Sequence, residues 1–212
     1  YNRLNNIPIG QFYGIGVDMD SPYNIYGGMQ DNHSWVGPSS TRHWLGILSD
    51  DWRQIGFGDG MYQQPDPNSS ILYNATQNGN IVRIDRKTGN IQGIKPFSSD
   101  PDDMNRYDWV TPIMISKQSS KRVYLGGNRL FISNDSGVSW SKTKDLTKKT
   151  NRESLSIMGV LNVDTKISRN DGTSSYGEII SMDESPLWYK ILWVGTDDGN
   201  VQVSKDGGKN WN

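Results

Sequence analysis

The sequence predicts an all-β protein built from repeated antiparallel sheets, and three observations lead to that prediction. The stretch SNDSGVSW at 133–140 returns as SKDGGKNW at 204–211, and each copy directly follows a short apolar run. Glycine and tryptophan are abundant, at 23 and 8 residues, whereas phenylalanine is scarce at 4. That composition suits many short strands joined by glycine turns and packed through aromatic side chains. The third observation is a recurring order of apolar runs and polar turns.

Four segments of the chain share this order of β runs. Each has a first run that ends near an acidic or polar turn, a second run centred on an aromatic residue, a third run and a fourth. The first runs lie at 11–20, 60–68, 110–118 and 177–185, the second at 24–28, 71–76, 122–127 and 191–196, and the third near 34–37, 80–85, 129–133 and 200–204. The aromatic centres are Tyr26, Tyr73, Tyr124 and Trp193, and the fourth runs begin at Trp52, Ile91, Trp140 and Trp211.

Four strands in a repeat of about 40 to 50 residues is the period of β-propeller blades. The sequence therefore predicts a propeller of four-stranded antiparallel blades, with about four blades at 11–58, 59–107, 108–175 and 176–212. A β-sandwich with coincidental turns is the alternative at this point. A polar insertion at 144–175, with a helical turn near 151–158, lengthens the third repeat.

The predicted blade count has a consequence for partners. Four blades do not close a ring readily, and the last repeat stops where its outer strand should begin. Open blade faces and strand edges invite association. We therefore expect a fragment of a larger propeller, whose partners are the remaining blades or neighbouring protein chains.

Composition excludes several classes of function. The net charge of −1 gives no basic footprint for nucleic acid, and no apolar run approaches the roughly 18 residues of a membrane span. The chain has no cysteine, which excludes disulfides, thiolate catalysis and cysteine-based zinc sites. With two histidines, His33 and His43, a histidine-rich metal site cannot be built. We expect no cofactor and no bound metal.

The two repeated turns, together with GGMQDNHSW (27–35), QNGNIVRIDRKTG (77–89) and GTDDGNVQVSKDGG (195–208), resemble the BNR or Asp-box propeller families. The resemblance covers nearly the whole chain. It includes bacterial proteins described as BNR-repeat or glycosyl hydrolase proteins, and extends to sortilin-type and xyloglucanase-type propellers. It is specific for the fold and weak for activity, because Asp boxes occur in enzymes, lectin-like proteins and receptors alike.

The resemblance implies that the box residues are structural: Ser133, Asp135, Gly137 and Trp140 in one box, and Ser204, Asp206, Gly208 and Trp211 in the other. The chemistry agrees, because the short polar side chains can bind turn N–H groups, glycine accepts a positive φ, and tryptophan packs between blades. A calcium site is the alternative. Calcium takes roughly six to eight oxygen ligands, and each box supplies two or three.

A ligand site is expected on the face opposite the boxes. Antiparallel strands alternate in direction, so the second-to-third turns and the connections between blades fall on one face, where exposed aromatic, amide and carboxyl groups would suit a glycan or peptide. Ordinary hydrophilic turns are the alternative reading of the same residues. The ligand-binding candidates there are Gln30, Asn32, Trp35, Gln77, Tyr107, Asp108, Trp109, Asn128, Arg129, Tyr176, Glu178 and Asp198.

Two functions remain open from the sequence. One is a non-catalytic exported module that binds protein or glycan or scaffolds an assembly. The other is a xyloglucanase-like glycoside hydrolase fragment, whose catalytic candidates are Asp31, Asp59 and Asp197 because hydrolysis generally needs two carboxyl groups. A sialidase is disfavoured, because NNIPIG at 5–10 has no arginine before Ile-Pro. The resemblance implies an extracellular or periplasmic location, in a bacterial envelope.

Overall fold

The computed structural model describes residues 9–161 and 175–212, and this part of the chain is almost entirely β-structure. Four sheets follow one another along the chain, and within each sheet every strand pairs antiparallel with the next. Three of the sheets have four strands and the last has three. The first strands of successive sheets contact one another, so the sheets are arranged as the blades of a propeller rather than as the two layers of a sandwich.

The strand bounds define the blades. Blade 1 contains β1 (Phe12–Val17), β2 (Asn24–Met29), β3 (Ser34–Pro38) and β4 (Arg53–Gly56), and blade 2 contains β5 (Gly60–Pro65), β6 (Ile71–Thr76), β7 (Ile81–Asp85) and β8 (Ile91–Gly93). Blade 3 contains β9 (Ile113–Ser116), β10 (Ser119–Gly126), β11 (Leu130–Ser133) and β12 (Ser141–Lys142). Blade 4 contains β15 (Ile179–Glu184), β16 (Leu192–Thr196) and β17 (Val201–Ser204).

Short 3₁₀ turns and one small hairpin complete the described elements. The 3₁₀ turns lie at Ser49–Asp51, Gln77–Gly79, Pro101–Asp103 and Arg152–Ser154, and the hairpin consists of β13 (Ser156–Ile157) and β14 (Val160–Leu161). The helical turn predicted near 151–158 is therefore a single 3₁₀ turn that leads into this hairpin. The part of the predicted insertion at 162–174, and residues 5–8 of the NNIPIG stretch, lie outside the described residues.

The core is divided into three apolar clusters, one at each junction between neighbouring blades. Tyr26 packs with Leu72 between blades 1 and 2. Tyr73 packs with Val123 and Leu125 in the larger cluster between blades 2 and 3. Between blades 3 and 4, the same role falls to Tyr124, whose cluster is completed by Leu130, Leu146, Ile179, Leu192, Val194 and Trp211. The period-two alternation of a strand explains this layout, because alternate side chains face opposite neighbours.

The fourth aromatic centre differs from the other three. Tyr26, Tyr73 and Tyr124 are buried by the following blade, whereas the side chain of Trp193 is 50% exposed. Trp193 lies in the last blade of the described chain, so no following sheet covers it there. The predicted fourth run of this blade consists of one rung: Asn212 and Val203 exchange two backbone hydrogen bonds, of 2.9 and 3.1 Å.

Candidate functional site

Backbone hydrogen bonds join the second-to-third turns to the connections between blades. The N–H of Asp197 donates to the carbonyl of Glu178 at 3.0 Å, and the N–H of Asn128 donates to the carbonyl of Arg106 at 3.0 Å. The N–H of Asn78 similarly donates to the carbonyl of Trp109 at 3.2 Å. One face of the propeller therefore holds residues that lie far apart in the sequence.

A cleft of about 520 Å³ opens on this face beside the second-to-third turn of blade 3, between the connections that enter and leave that blade. Three predicted ligand-binding residues line it, namely Asn128, Arg129 and Tyr176. The other lining residues are Pro101, Asp102, Asp103, Met104, Arg106, Asp145, Lys149 and Thr150. Three of the lining residues are acidic and three are basic, so the formal charge of the wall sums to zero.

An ion-pair network fixes one wall of the cleft. The guanidinium of Arg129, which is buried, donates two hydrogen bonds to the carboxylate of Asp103, and Lys142 donates a third at 2.7 Å. The bonds from Arg129 and then Lys142 lower the pKa of Asp103 to about 2. A paired arginine of this kind is held rigidly and offers little unpaired charge to a ligand.

Arg106 forms the second wall of the cleft, and its guanidinium extends toward the buried residues behind that wall. Its Nη2 atom donates to the carbonyl of Gly177 at 3.1 Å and lies 3.4 Å from Oδ2 of Asp145. The amide of Asn128 holds the same Asp145 oxygen, at 3.0 Å. The Nε atom of Arg106 is 3.8 Å from Oε1 of Glu178. Arg106 therefore connects the cleft to a buried carboxyl group behind it.

Glu178 belongs to a cluster of three carboxyl groups. One oxygen each from Asp108, Glu178 and Asp197 lies within 4.8 Å of the others. Glu178 is 0% exposed. Asp197 accepts the backbone N–H of Glu178 at 2.8 Å, and Asp108 accepts the N–H of Val110 at 2.8 Å.

The environment of Glu178 favours its protonated form. Burial raises the pKa of Glu178 to about 7, and the nearby charge of Asp197 adds to the rise. The hydroxyl of Ser175 and the guanidinium of Arg106 oppose it. A carboxyl group of this kind can hold a proton at neutral pH, which is the property expected of a general acid.

Among the described residues, these three carboxyl groups are the candidate ligands for a metal ion. The arrangement fits a cation poorly. Two of the three side chains already bind backbone N–H groups, and Arg106 supplies a positive charge beside Glu178. A calcium ion would need roughly six to eight oxygen ligands. The cluster is therefore better suited to keep a proton on Glu178 than to bind a metal ion.

The first two catalytic candidates form a structural contact. Oδ1 of Asp59 accepts the backbone N–H of Asp31 at 2.8 Å, and Asp59 is buried. Asp59 therefore binds the turn of blade 1 as Asp197 binds the start of β15. The third candidate, Asp197, is the one that lies beside other carboxyl groups.

The side chains of several ligand-binding candidates already form hydrogen bonds with nearby backbone groups. In blade 1, Asn32 donates to the carbonyl of Gln30 at 3.0 Å and Trp35 donates to the carbonyl of Asn32 at 2.6 Å. Tyr107 is buried in the core, and its hydroxyl donates to the carbonyl of Pro96 at 2.7 Å.

Three further candidates lie outside the cleft. Asp198 is buried and accepts the N–H of Lys148 at 2.7 Å. Trp109 remains exposed, with its indole N–H 3.4 Å from the hydroxyl of Tyr13. Gln77 lies in the second-to-third turn of blade 2, where its side chain is close to Gly58.

The repeated turns have matching hydrogen bonds. Oγ of Ser133 accepts the N–H of Gly137 at 2.8 Å and donates to Asp135 at 2.7 Å. In the second turn, Ser204 makes the same two bonds, each of 2.8 Å, with Gly208 and Asp206. Gly137 and Gly208 have φ values of 84° and 91°, which favour glycine.

The tryptophans and acids of these turns also have similar environments. Trp140 donates to the carbonyl of Ile94 in the neighbouring blade at 2.8 Å, and Trp211 is buried between blades 3 and 4. Hydrogen bonds within the turn, from Ser139 first in one case and Asn210 first in the other, lower the pKa of both Asp135 and Asp206 to about 2.

Two residues that organise the walls of the cleft, Asp103 and Asp145, are not among the predicted site residues. Asp103 follows a proline at the start of a 3₁₀ turn, and Asp145 comes shortly after β12. The position of Asp145 could have indicated its place in the site, because it lies on the connection that follows the fourth strand of blade 3. Nothing in the local sequence pairs Asp103 with Arg129.

The fold has two informative relatives among solved structures. The GH74 xyloglucanase from Xanthomonas campestris matches with a TM-score of 0.50 and 11% identity, over 87% of this chain and 26% of that one. The extracellular domain of a putative one-component system from B. thetaiotaomicron matches with a TM-score of 0.58 and 13% identity, over 100% of this chain and 23% of that one.

These likenesses show the fold, and this chain spans about a quarter of each of those chains. No protein-family profile matches the sequence, and no curated protein matches it either. Within residues 9–161 and 175–212, no helix is long and apolar enough to cross a membrane. The described part of the chain has a propeller-like fold.

Proposed function

We propose that this chain is a non-catalytic binding module that holds a neutral glycan in the cleft beside the second-to-third turn of blade 3. The observation that carries the proposal is the charge balance of the cleft. Its acidic and basic residues are equal in number, and Arg129 and Arg106 are already paired with Asp103 and Asp145. A wall of paired charges and an aromatic ring favours a polar ligand without net charge over a strongly acidic or basic one.

Tyr176 gives the cleft its aromatic surface. Its ring is partly exposed, and the guanidinium of Arg152 lies over it with Cζ 5.3 Å from the ring centroid. Stacking on the accessible part of such a ring contributes area, while Thr150 offers a polar group that helps to set the orientation of a sugar.

The proposal is tested by titrating neutral oligosaccharides, including xyloglucan and cellulose fragments, into the protein by calorimetry. Tyr176→Ala should weaken binding by roughly tenfold or more if the ring is a principal contact. Tyr189→Ala is the matched control, because Tyr189 is also partly exposed beneath an arginine, with Arg122 Cζ 4.2 Å from its ring, but lies away from the cleft. Absence of binding to every neutral glycan, or equal effects of the two variants, would contradict the proposal.

A glycoside hydrolase fragment is the second candidate, and the pKa of Glu178 favours it. Against it, Glu178 is fully buried and both Asp59 and Asp197 bind backbone N–H groups. Release of reducing sugar that is lost in Glu178→Gln or Asp59→Asn would support the hydrolase. Binding without turnover would support the module.

The remaining parts of the proposal concern family and location. The matching hydrogen bonds around Ser133 and Ser204 support membership of the Asp-box propellers. The relative from B. thetaiotaomicron is described as an extracellular domain, which supports export of this chain as well. Fractionation of the source cells tests the location, and recovery in the cytoplasm alone would contradict it.

A further inference from the structure

Blade 2 lacks the tryptophan with which the fourth run of each other blade begins. Ile91 and Trp140 stand at the same position, one residue before the strand partner of a third-strand residue that itself pairs with the aromatic centre. Trp52 and Trp211 stand at this position in blades 1 and 4. Blade 2 therefore has a smaller, aliphatic side chain where the other three blades have an indole ring.

The tryptophans of blades 3 and 4 fill the junction with the preceding blade. Trp140 packs against the core cluster between blades 2 and 3, and its indole N–H donates to the carbonyl of Ile94 at 2.8 Å. Trp211 is 7% exposed in the cluster between blades 3 and 4. Ile91 faces the junction between blades 1 and 2, where its side chain is 59% exposed. The space that an indole ring fills at two junctions is therefore open at this one.

A groove of about 380 Å³ lies at this position, where β4 of blade 1 meets β7 and β8 of blade 2. We call it the rim groove. Both of its walls belong to adjacent blades within the described chain. Its apolar lining consists of the buried Tyr26 and Leu72, the partly buried Ile55 and Ile84, and the exposed Phe57 and Ile91.

One carbonyl of the rim groove matches the acceptor that Trp140 uses. The carbonyl of Ile94 lies on the fourth strand of blade 2, and that of Gly56 lies at the corresponding position in blade 1. The carbonyl of Gly56 accepts the side-chain amide of Gln54 at 2.9 Å. A carbonyl oxygen has two lone pairs, so it can accept an indole N–H as well.

The charged residues of the rim groove favour an acidic ligand. Its lining includes Arg53, Arg86 and Asp85, which sum to a formal charge of +1. Arg86 is paired with Asp18 at 3.0 Å, and Asp85 accepts hydrogen bonds within its own turn. Arg53 is exposed and has no ion-pair partner within residues 9–161 and 175–212. A carboxylate beside an aromatic ring would complement this arrangement.

We propose that the rim groove binds a tryptophan side chain of a partner protein, from a segment that carries a carboxylate next to the tryptophan. The indole ring lies against Ile55 and Ile84, in the position that the blade's own tryptophan takes at the next two junctions. Its N–H donates to the carbonyl of Gly56, and the neighbouring carboxylate pairs with Arg53. The site is separate from the proposed glycan cleft, with which it shares no lining residue.

Titration of the 212-residue chain with the blocked tripeptide acetyl-Asp-Trp-Asp-amide, followed by nuclear magnetic resonance, tests the site. We expect saturable shifts of the backbone amides of Ile55, Ile84 and Ile91. A tripeptide with alanine in place of tryptophan should not bind, and one with 1-methyltryptophan should bind more weakly because it lacks the N–H donor. Arg53→Gln should weaken binding of the acidic tripeptide by roughly two- to fivefold and leave a neutral tryptophan peptide unaffected.

Ile91→Trp tests the proposal from the side of the protein. The new indole ring should fill the rim groove, abolish tripeptide binding and raise the midpoint of thermal unfolding. Val138→Trp is the matched control, since Val138 is 61% exposed in the third-to-fourth turn of blade 3, away from the groove. Phe57→Ser should weaken binding without adding volume, and it keeps the test valid if Ile91→Trp does not fold.

Three results would overturn the proposal. One is the absence of shifts at millimolar tripeptide, and another is a set of shifts confined to residues outside the rim groove. The third is undiminished affinity in both folded Ile91→Trp and Phe57→Ser. Tyr176→Ala, in the glycan cleft, should leave tripeptide binding unchanged, so failure of the glycan proposal and failure of this one are distinguishable.

Discussion

Glu178 shows how burial, as the largest of several influences, can set the protonation of a side chain. Its carboxyl group lies beside Asp108 and Asp197, and the one positive charge placed near it by the described chain is that of Arg106. Because its pKa in the folded state is raised to about 7, the folded protein holds this proton more tightly than the unfolded chain does. Folding stability contributed by this group is therefore present at low pH and lost as the pH rises.

The pH dependence of stability checks this residue. We expect the free energy of unfolding to fall between about pH 4.5 and pH 7 and to level off above that range. Glu178→Gln should flatten the profile and stabilise the protein at pH 8 by roughly 1 to 3 kcal/mol. Urea unfolding at a series of pH values provides the measurement, with the exposed Glu153→Gln as control. A profile that keeps its slope in Glu178→Gln would contradict the assignment.

Some residue positions follow from the sequence and others depend on the assembled blades. The aromatic centres of three blades were predictable, because a strand with a large apolar residue must bury it. The burial of Tyr107 and Asn128, both expected to meet a ligand, was not predictable, since each lies on a connection whose path is set by the two adjacent blades. The pairing of Arg129 with Asp103 has the same origin. The side of the propeller on which a connection lies follows from the alternation of strand directions, whereas the contacts within a cleft depend on the assembled blades.

At the scale of elements, glycine determines how closely two blades approach. A Cβ on Gly28 would collide with backbone atoms of Gly60 and Met61, at 2.1 to 2.4 Å, and backbone cannot move aside as a flexible side chain can. The corresponding residue in blade 2 is Ala75, which is buried against blade 3. The position therefore holds glycine at one junction and alanine at the next.

A pair of glycine substitutions tests this reading. Gly28→Ala should destabilise the protein by roughly 1 to 3 kcal/mol, because the added methyl group overpacks the junction. Gly93→Ala, also in a strand, should be nearly neutral, since a Cβ there would meet no atom within 4 Å. Thermal unfolding of both variants gives the comparison. Equal shifts in the midpoint would show that backbone propensity, rather than blade spacing, decides the effect.

At the scale of the whole molecule, stability should be graded from the middle blades outward. β6 and β10 are central in their sheets and are buried from Leu72 to Ala75 and from Val123 to Gly126. β12 is a two-residue outer strand, and β14 of the small hairpin is exposed. Amides in such outer elements open without unfolding the rest.

Hydrogen exchange measured residue by residue checks this gradient. We expect the slowest amides in β6 and β10, at rates near that of global unfolding, and much faster exchange in β12 and in the hairpin. Uniform protection across all four blades would contradict the graded picture and would indicate a single cooperative unit.

The anchored connections have a consequence for how such a chain can acquire new recognition. The connection from β8 to β9 is held at Arg106 and Trp109 by hydrogen bonds from the turns of two blades, while Phe97 and Met104 earlier in the connection are exposed. The residues that hold this loop in place are therefore different from the residues that it exposes to solvent. The exposed residues can change in size, charge or number while the hydrogen-bonded residues keep the blades in place. Ligand specificity can therefore change while the fold is kept.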